Sequence, residues 1–293
     1  MNFQMKLLSL AVMGLALAAP VAHAAIDTGA NGELFFSLWS DNGTASTTDD
    51  VSYTRDLGVT INTFTTQTTG STLTAQATTA GYTQSFGANA LLTSFLNAIP
   101  ANAQVLWNVV GNDNIGNRRF VSTAAVGTNA LPAQTASNSR AVNTAIQGFV
   151  GSTNTLSNTQ NATPSSTNAV NNSNTATFSN GAAYAGGVAW GPNLGTTTTF
   201  NTTGLYSASS TLATQVKLPF FLQFDLGTTG NASSLQFTSA TGAGADGSAA
   251  YWTLGANGDL SYNVAAVPEA DTWAMFAAGL LAVGAIARRR LAA

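Results

Sequence analysis

Charge is what this 293-residue chain has least of. Asp, Glu, Lys and Arg make up 7% of it, against about 25% in an ordinary soluble domain. Nine Lys and Arg stand against twelve Asp and Glu, a net charge of −3. Cysteine is absent, and the single histidine is His23. Each shortage excludes a class. Without a basic stripe the chain has no electrostatic footprint for nucleic acid. Without cysteine it has no disulfide framework, no thiol nucleophile and no thiolate metal site. Solubility rests instead on groups that do not titrate: 42 Thr, 27 Asn, 25 Ser and 28 Gly.

The N-terminus reads as a secretory signal. Lys6 supplies the positive start, Leu7 to Ala19 is an apolar run, and Pro20 breaks it. Ala22-His23-Ala24 is a small-x-small cleavage site, which places the cut between Ala24 and Ala25. The run is too short for a membrane span, which needs about 20 apolar residues. Cleavage would remove His23, leaving a chain with neither His nor Cys. Ser-His-Asp and Cys-His activation are then impossible within it, as are zinc sites of the usual His/Cys kind.

The C-terminus carries the second signal. Val267-Pro268-Glu269-Ala270-Asp271-Thr272 leads into an uncharged stretch from Trp273 to Ala287, then Arg288-Arg289-Arg290. The stretch holds Trp273, Ala274, Met275, Phe276, Gly279, Leu280, Leu281, Val283, Gly284 and Ile286. As a helix it spans only about 22 Å at about 1.5 Å per residue. Extension to Thr272 and to the snorkelling arginine stems brings it towards a bilayer core. The arginines mark a cytoplasmic stop by the positive-inside rule, and Trp273 would sit at the outer interface. A GPI-type tail lacks such an arginine cluster.

Pro268-Glu269, a short apolar helix and a terminal arginine cluster together resemble the PEP-CTERM sorting signal of Gram-negative bacteria. The third motif position here is Ala270 rather than proline. The resemblance covers Val267 to Leu291 and says nothing of the body. It implies recognition by exosortase, an integral-membrane transpeptidase-like protease, with cleavage near the motif and delivery to the cell surface or matrix. It also implies a setting in which exopolysaccharide is made. An ordinary C-terminal membrane anchor is the plainer alternative.

Between the two signals, residues 25–266 form a body large enough for one domain, or at most two. Its cations are Arg55, Arg118, Arg119, Arg140 and Lys217, against ten acids. Strand patterns dominate: Gly32 to Ser40, Val51 to Phe64, Val105 to Val110, Phe120 to Thr123, Leu218 to Leu226 and Leu235 to Thr238. Tyr251 to Val264 reads as a hairpin around Gly-Ala-Asn-Gly-Asp. Pro219 suits an edge or a strand start. Asn89 to Ile99 has helical spacing and ends at Pro100, although a buried strand would also fit its apolar run. Ser139 to Val150 is a second helix candidate, with Val142, Ala145, Ile146 and Phe149 on one face. Asn154 to Asn180 is nearly low in complexity and reads as a long loop or an irregular edge. The expected fold is mainly β: a sandwich-like body with one or two short helices, an N-terminal signal helix and a single C-terminal transmembrane helix. The opening block of this body also resembles bodies of betaproteobacterial PEP-CTERM proteins.

Few constellations suggest chemistry. Asp41, Asn42, Asp49 and Asp50 flank a Gly/Ser/Thr loop that could hold calcium, and Asp113 between Asn112 and Asn114 is a weaker candidate. Neither has EF-hand spacing, and solvated turn carboxylates in Asx turns are the preferred reading. Glu33, the only body glutamate, and Asp225, among Phe220, Phe221 and Phe224, are the acids best placed for a glycosidase pair. Strand-end placement or pairing with Arg55 or Lys217 explains them too. Trp39, Trp107, Trp190 and Trp252 could stack on sugar rings, with core packing the default for Trp39 and Trp107 and a loop for Trp190. Five sequons, at Asn42, Asn161, Asn171, Asn201 and Asn231, are no more than random placement produces. The expectation is a non-enzymatic surface or matrix protein without cofactor or metal, exported and exosortase-processed. Its partners are exosortase, the inner membrane before processing, and exopolysaccharide, with no nucleic acid. A secreted carbohydrate-binding or carbohydrate-active protein is the alternative.

Overall fold

The computed structural model describes residues 25–65, 73–103, 105–113, 118–124, 135–160, 173–186, 217–224, 229–237, 250–265, 278–283 and 288. The body is mainly β. Ten antiparallel strands follow the order β3-β10-β9-β7-β5-β4-β1-β2-β6, with β8 branching from β7. They are β1 (Glu33–Ser40), β2 (Val51–Thr60), β3 (Thr83–Phe86), β4 (Val105–Asn112), β5 (Phe120–Thr123), β6 (Ser173–Thr177), β7 (Leu218–Phe224), β8 (Ser233–Gln236), β9 (Ala250–Leu254) and β10 (Leu260–Val264). Among the described residues of the body three α-helices accompany them: α1 (Ala75–Thr78), α2 (Ala90–Ala98) and α3 (Ala136–Gln160).

The expected strands all form, within a few residues of their anticipated ends. Instead of two separate sheets, one continuous hydrogen-bonded sheet curls around its own apolar face. The central strands explain why. In β1 every residue is buried. Leu34, Phe36 and Leu38 enter the inner core, while Phe35 and Trp39 enter a second core on the outer face. β4 divides in the same way, with Trp107 and Val109 inside and Leu106 and Val110 outside. Side chains alternate across a strand, so a strand covered on both faces reads as an almost unbroken apolar run.

The inner core is aromatic. Phe64, Phe220, Phe237, Trp252 and Tyr262 contact one another with ring centroids 4.8 to 6.3 Å apart, mostly edge to face. α2 helps to close the curl. Leu92 and Phe95 are buried, as the helical reading of this segment requires. Its N-cap, Asn89, accepts from the Leu92 N–H at 2.8 Å and from the Tyr53 hydroxyl at 3.1 Å, and donates to Ser173 Oγ at 3.1 Å. One side chain thus ties α2 to β2 and β6. Curvature is assisted by a bulge between Leu34 and Phe35, opposite Leu57 and Gly58. Gly58 has φ +62°, and its N–H donates to Asp56 Oδ1 at 2.7 Å, a left-handed turn that a glycine makes readily.

The largest departure from expectation is α3. It has 25 residues rather than about 12 and runs into the segment expected as loop or edge. Its buried positions are Ala136, Ser139, Val142, Asn143, Ile146, Phe149, Val150, Thr153 and Ser157. That spacing is helical throughout, but nearly half of the stripe is polar, so hydrophobicity reveals only its middle. The low-complexity segment also contains β6.

At the C-terminus residues 278–283 and Arg288 are helical, and Leu280, Leu281 and Val283 lie exposed. No helix among the described residues is long and apolar enough to cross a membrane. The expected signal helix, Ala22 and Ala24, the motif Val267 to Ala270, Trp273 to Phe276, Gly284, Ile286, Arg289 and Arg290 lie outside the described residues; Ala25 is the first of them.

Candidate functional site

Of the two acids singled out as a glycosidase pair, Glu33 is described and Asp225 lies outside the described residues. Glu33 opens β1, is buried, and accepts the Asp27 N–H at 2.9 Å, while its own N–H donates to the Asp27 carbonyl at 2.8 Å. It fastens the leading segment to the sheet. Arg55 donates from Nη1 to the Gly87 carbonyl at 2.6 Å, and the Lys217 ammonium stands 4.6 Å from the Tyr251 ring centroid.

The Asp41–Asp50 loop splits by burial. Asp41 Oδ1 accepts from the Gly43 N–H at 2.9 Å, an Asx turn that leaves Asn42 at φ +52°. Thr44 donates to Asp49 at 2.9 Å on the surface. Asp50 is 2% exposed and accepts from the Tyr184 hydroxyl at 3.1 Å; the Trp39 indole N–H donates to that same hydroxyl oxygen. Burial raises the Asp50 carboxyl above its ordinary range, the Tyr184 bond opposes this, and Asp49 and Asp41 reinforce it. Burial also raises the Tyr184 hydroxyl. This Trp–Tyr–Asp chain could hold a proton, but it joins β1, the start of β2 and the segment after β6, and works as a strut.

Asp113 and Arg119 form a second buried unit where β4 turns into β5. Arg119 Nε reaches Asp113 Oδ2 at 2.6 Å, with the side chains 1% and 0% exposed, and the Arg119 N–H also donates to the carboxylate. Arg119 Nη1 donates to the Thr65 carbonyl at 3.1 Å. Asn143 of α3 donates to the Asp113 carbonyl at 3.1 Å, and Asn112 donates to the Asn143 carbonyl at 3.1 Å. The carboxylate is therefore spent on a cation and a backbone N–H. Among the described residues no group of three or more His, Asp or Glu side chains converges as a metal site would require.

Amide side chains repeatedly take the place of backbone partners. Asn154 gives and accepts 2.9 Å bonds with Ile26 O and N. Gln160 does the same for Thr175, at 2.6 and 2.9 Å. Asn174 reaches Ser157 Oγ at 2.9 Å beneath α3. The abundance of Asn thus has a structural use that no catalytic or binding motif in the sequence signalled.

The tryptophans follow the same division. Trp107 and Trp252 are wholly buried and Trp39 is 5% exposed, so none offers a ring face to a sugar; Trp190 lies outside the described residues. Among the described residues two surface grooves stand out. One, of about 530 Å³, lies beside β3 and the β9–β10 turn and is lined by Phe86, Thr253, Asn257, Asp259 and Ser261. The other, of about 470 Å³, lies between α2 and β6 and is lined by Leu91, Phe95, Ile99 and Thr177. The first is the polar one and went unnoticed in the sequence, because its residues come from two segments about 170 positions apart. No family model matches this chain, and comparison with curated proteins and with solved structures finds none similar to it.

Proposed function

We propose that this chain is an exported, exosortase-processed protein of the cell surface or extracellular matrix, structural or adhesive in role and associated with exopolysaccharide. One observation carries the reading: Pro268-Glu269, the uncharged stretch Trp273 to Ala287, and Arg288 to Arg290 stand in the order of a sorting signal. In this reading Val267 to Ala270 are the recognition segment, the apolar helix holds the chain in the inner membrane during processing, and the arginines stop it on the cytoplasmic side. Leu280, Leu281 and Val283, exposed on helical backbone, suit a lipid environment. The body's few charges are in good part buried in struts such as Asp113–Arg119. Its hydroxyl and amide surface suits contact with neutral, hydrated polymers. The groove at Asn257, Asp259 and Ser261 favours a carbohydrate-binding role as the second reading, since those groups accept and donate to sugar hydroxyls.

The intact mass and C-terminal peptide of protein recovered from its native surface test the first reading. A chain that starts at Ala25 and ends near Pro268 is expected. A chain that retains Arg288 to Ala293 would reduce the tail to a plain anchor and remove exosortase from the account. Titration of the body with the native polysaccharide, with Asp259→Ala as the control, separates binding from a scaffold role.

A further inference from the structure

The two ends of the curled sheet are finished differently. At β6 the outward N–H and C=O of Thr175 are both held by the Gln160 amide, and the outward N–H of Thr177 donates to Asn180 Oδ1 at 2.7 Å. Among the described residues no side chain caps the outward backbone groups of β3. The Val264 N–H donates to the Tyr82 carbonyl at 2.8 Å, and β3 pairs with β10 as Gln84↔Tyr262 and Phe86↔Leu260. Hydrogen-bonded pairs alternate along an antiparallel ladder, so the N–H and C=O of Thr83 and Ser85 point away from β10. Both residues are exposed. From Gly81 to Ala88 there is no charge and no proline. Of the usual protections for an edge, only shortness is present.

We propose that β3 is a docking edge for a second copy of this chain, paired antiparallel about a two-fold axis through Gln84. In that register Thr83 faces Ser85 of the second copy. Each such pair exchanges two hydrogen bonds, so four bonds use all the outward groups of both strands. Centring the axis on Thr83 would bring in Gly81, whose N–H is already bonded to Val264. Centring it on Ser85 would bring in Gly87, whose carbonyl is held by Arg55. Because the pairing is isologous and uses the outward groups of both β3 strands, the assembly closes at two copies. Four residues bury far less than the roughly 1,200–2,000 Å² of a stable interface, which makes the association dependent on concentration.

The absence of cysteine makes the test clean. Across the two-fold axis the two Gln84 residues form a non-hydrogen-bonded pair with Cα atoms about 4.5 Å apart, inside the range of about 4.4–6.8 Å that a disulfide spans. The full chain carrying Gln84→Cys, produced in its native cells and oxidised mildly, is expected to give a covalent dimer on a non-reducing gel. Its yield should exceed by roughly tenfold that of Thr93→Cys, an exposed α2 position that reports random collision. Adding Ser85→Pro removes the outward N–H, leaves the β10 ladder intact, and should return the yield to the collision level. Adding Thr83→Lys instead should do likewise, with circular dichroism confirming the fold of each variant. Crosslinking of Gln84→Cys no greater than that of Thr93→Cys, or unchanged by both second substitutions in folded protein, would overturn the proposal.

Discussion

Phe64 is the residue on which closure of the sheet can be tested most sharply. It belongs to no strand. It follows a single 3-10 turn, Ile61–Thr63, at the end of β2, and is wholly buried. Its ring centroid lies 5.0 Å from Tyr262, 5.5 Å from Phe220, 5.9 Å from Phe237 and 6.3 Å from Trp252. Those partners come from β10, β7, the residue after β8, and β9. Removing a buried phenylalanine to alanine costs about 3–5 kcal/mol. Aromatic pairs add about 0.5–1.5 kcal/mol each beyond burial, so Phe64→Ala belongs at the upper end, about 4–5 kcal/mol. For a domain of this size each kcal/mol moves Tm by about 2–4 °C, giving a fall of roughly 10–15 °C. Phe64→Leu keeps most of the volume and should cost only about 1–2 kcal/mol. The assay is thermal and urea unfolding followed by tryptophan emission, for which Trp252 is the neighbouring reporter. A loss below about 1 kcal/mol for Phe64→Ala would mean that the ring is not enclosed and that the sheet does not curl around it.

Three further outcomes are expected. The Asp50 carboxyl is raised in the folded state by burial, so folded protein binds its proton more tightly than unfolded protein does. The stabilisation from that proton is complete below the unfolded value of 3.8 and fades as pH rises through the raised folded value. Asp50→Asn, which can still accept from Tyr184, should flatten this part of the Tm–pH curve; an unchanged curve would refute the assignment. Asn143→Ala removes the bonds to Asp113 and Asn112 and should lower the urea midpoint by the equivalent of about 2–3 kcal/mol, whereas substitution at a solvent-facing α3 position such as Thr155 should leave it within about 0.5 kcal/mol. Gly32→Ala would place its Cβ 1.8 Å from the Asn112 carbonyl oxygen, which is backbone and cannot swing aside. Soluble folded protein should fall steeply in expression trials, and a normal yield with wild-type Tm would contradict the packing of that corner.

The parts of the fold that were legible in the sequence are those where burial and apolar character coincide. Leu92 and Phe95 turn inward on α2 at the spacing that announces a helix, and Pro100 follows the C-cap Ile99. The β9–β10 hairpin shows through Trp252, Leu254, Leu260 and Tyr262 around a glycine-rich turn. What escaped was built from polar residues. β3 and β6 are Thr-Gln-Ser-Phe and Ser-Asn-Thr-Ala-Thr, sequences with little hydrophobic alternation. The ends of α3 hide behind the buried Ser139, Thr153 and Ser157, and Asn174 of β6 donates to the Thr153 carbonyl and the Ser157 hydroxyl there. The Asp50–Tyr184 and Asp113–Arg119 struts could be named as acids but not paired, since Tyr184 stands 134 positions from Asp50.

Composition alone determines that thiolate chemistry is closed to this protein and that His23 is the one imidazole in its sequence. The proposed sorting residues, Pro268-Glu269 and Arg288 to Arg290, are likewise read from a short, local and linear pattern. The tertiary structure alone decided that one sheet would curl rather than two sheets face each other. It also decided that asparagine and glutamine would stand in for missing strand partners, and that one sheet end would be capped while the other stayed open. Those outcomes depend on groups distant in sequence and on the need of every buried N–H and C=O for a partner, a demand that hydrophobic periodicity does not record.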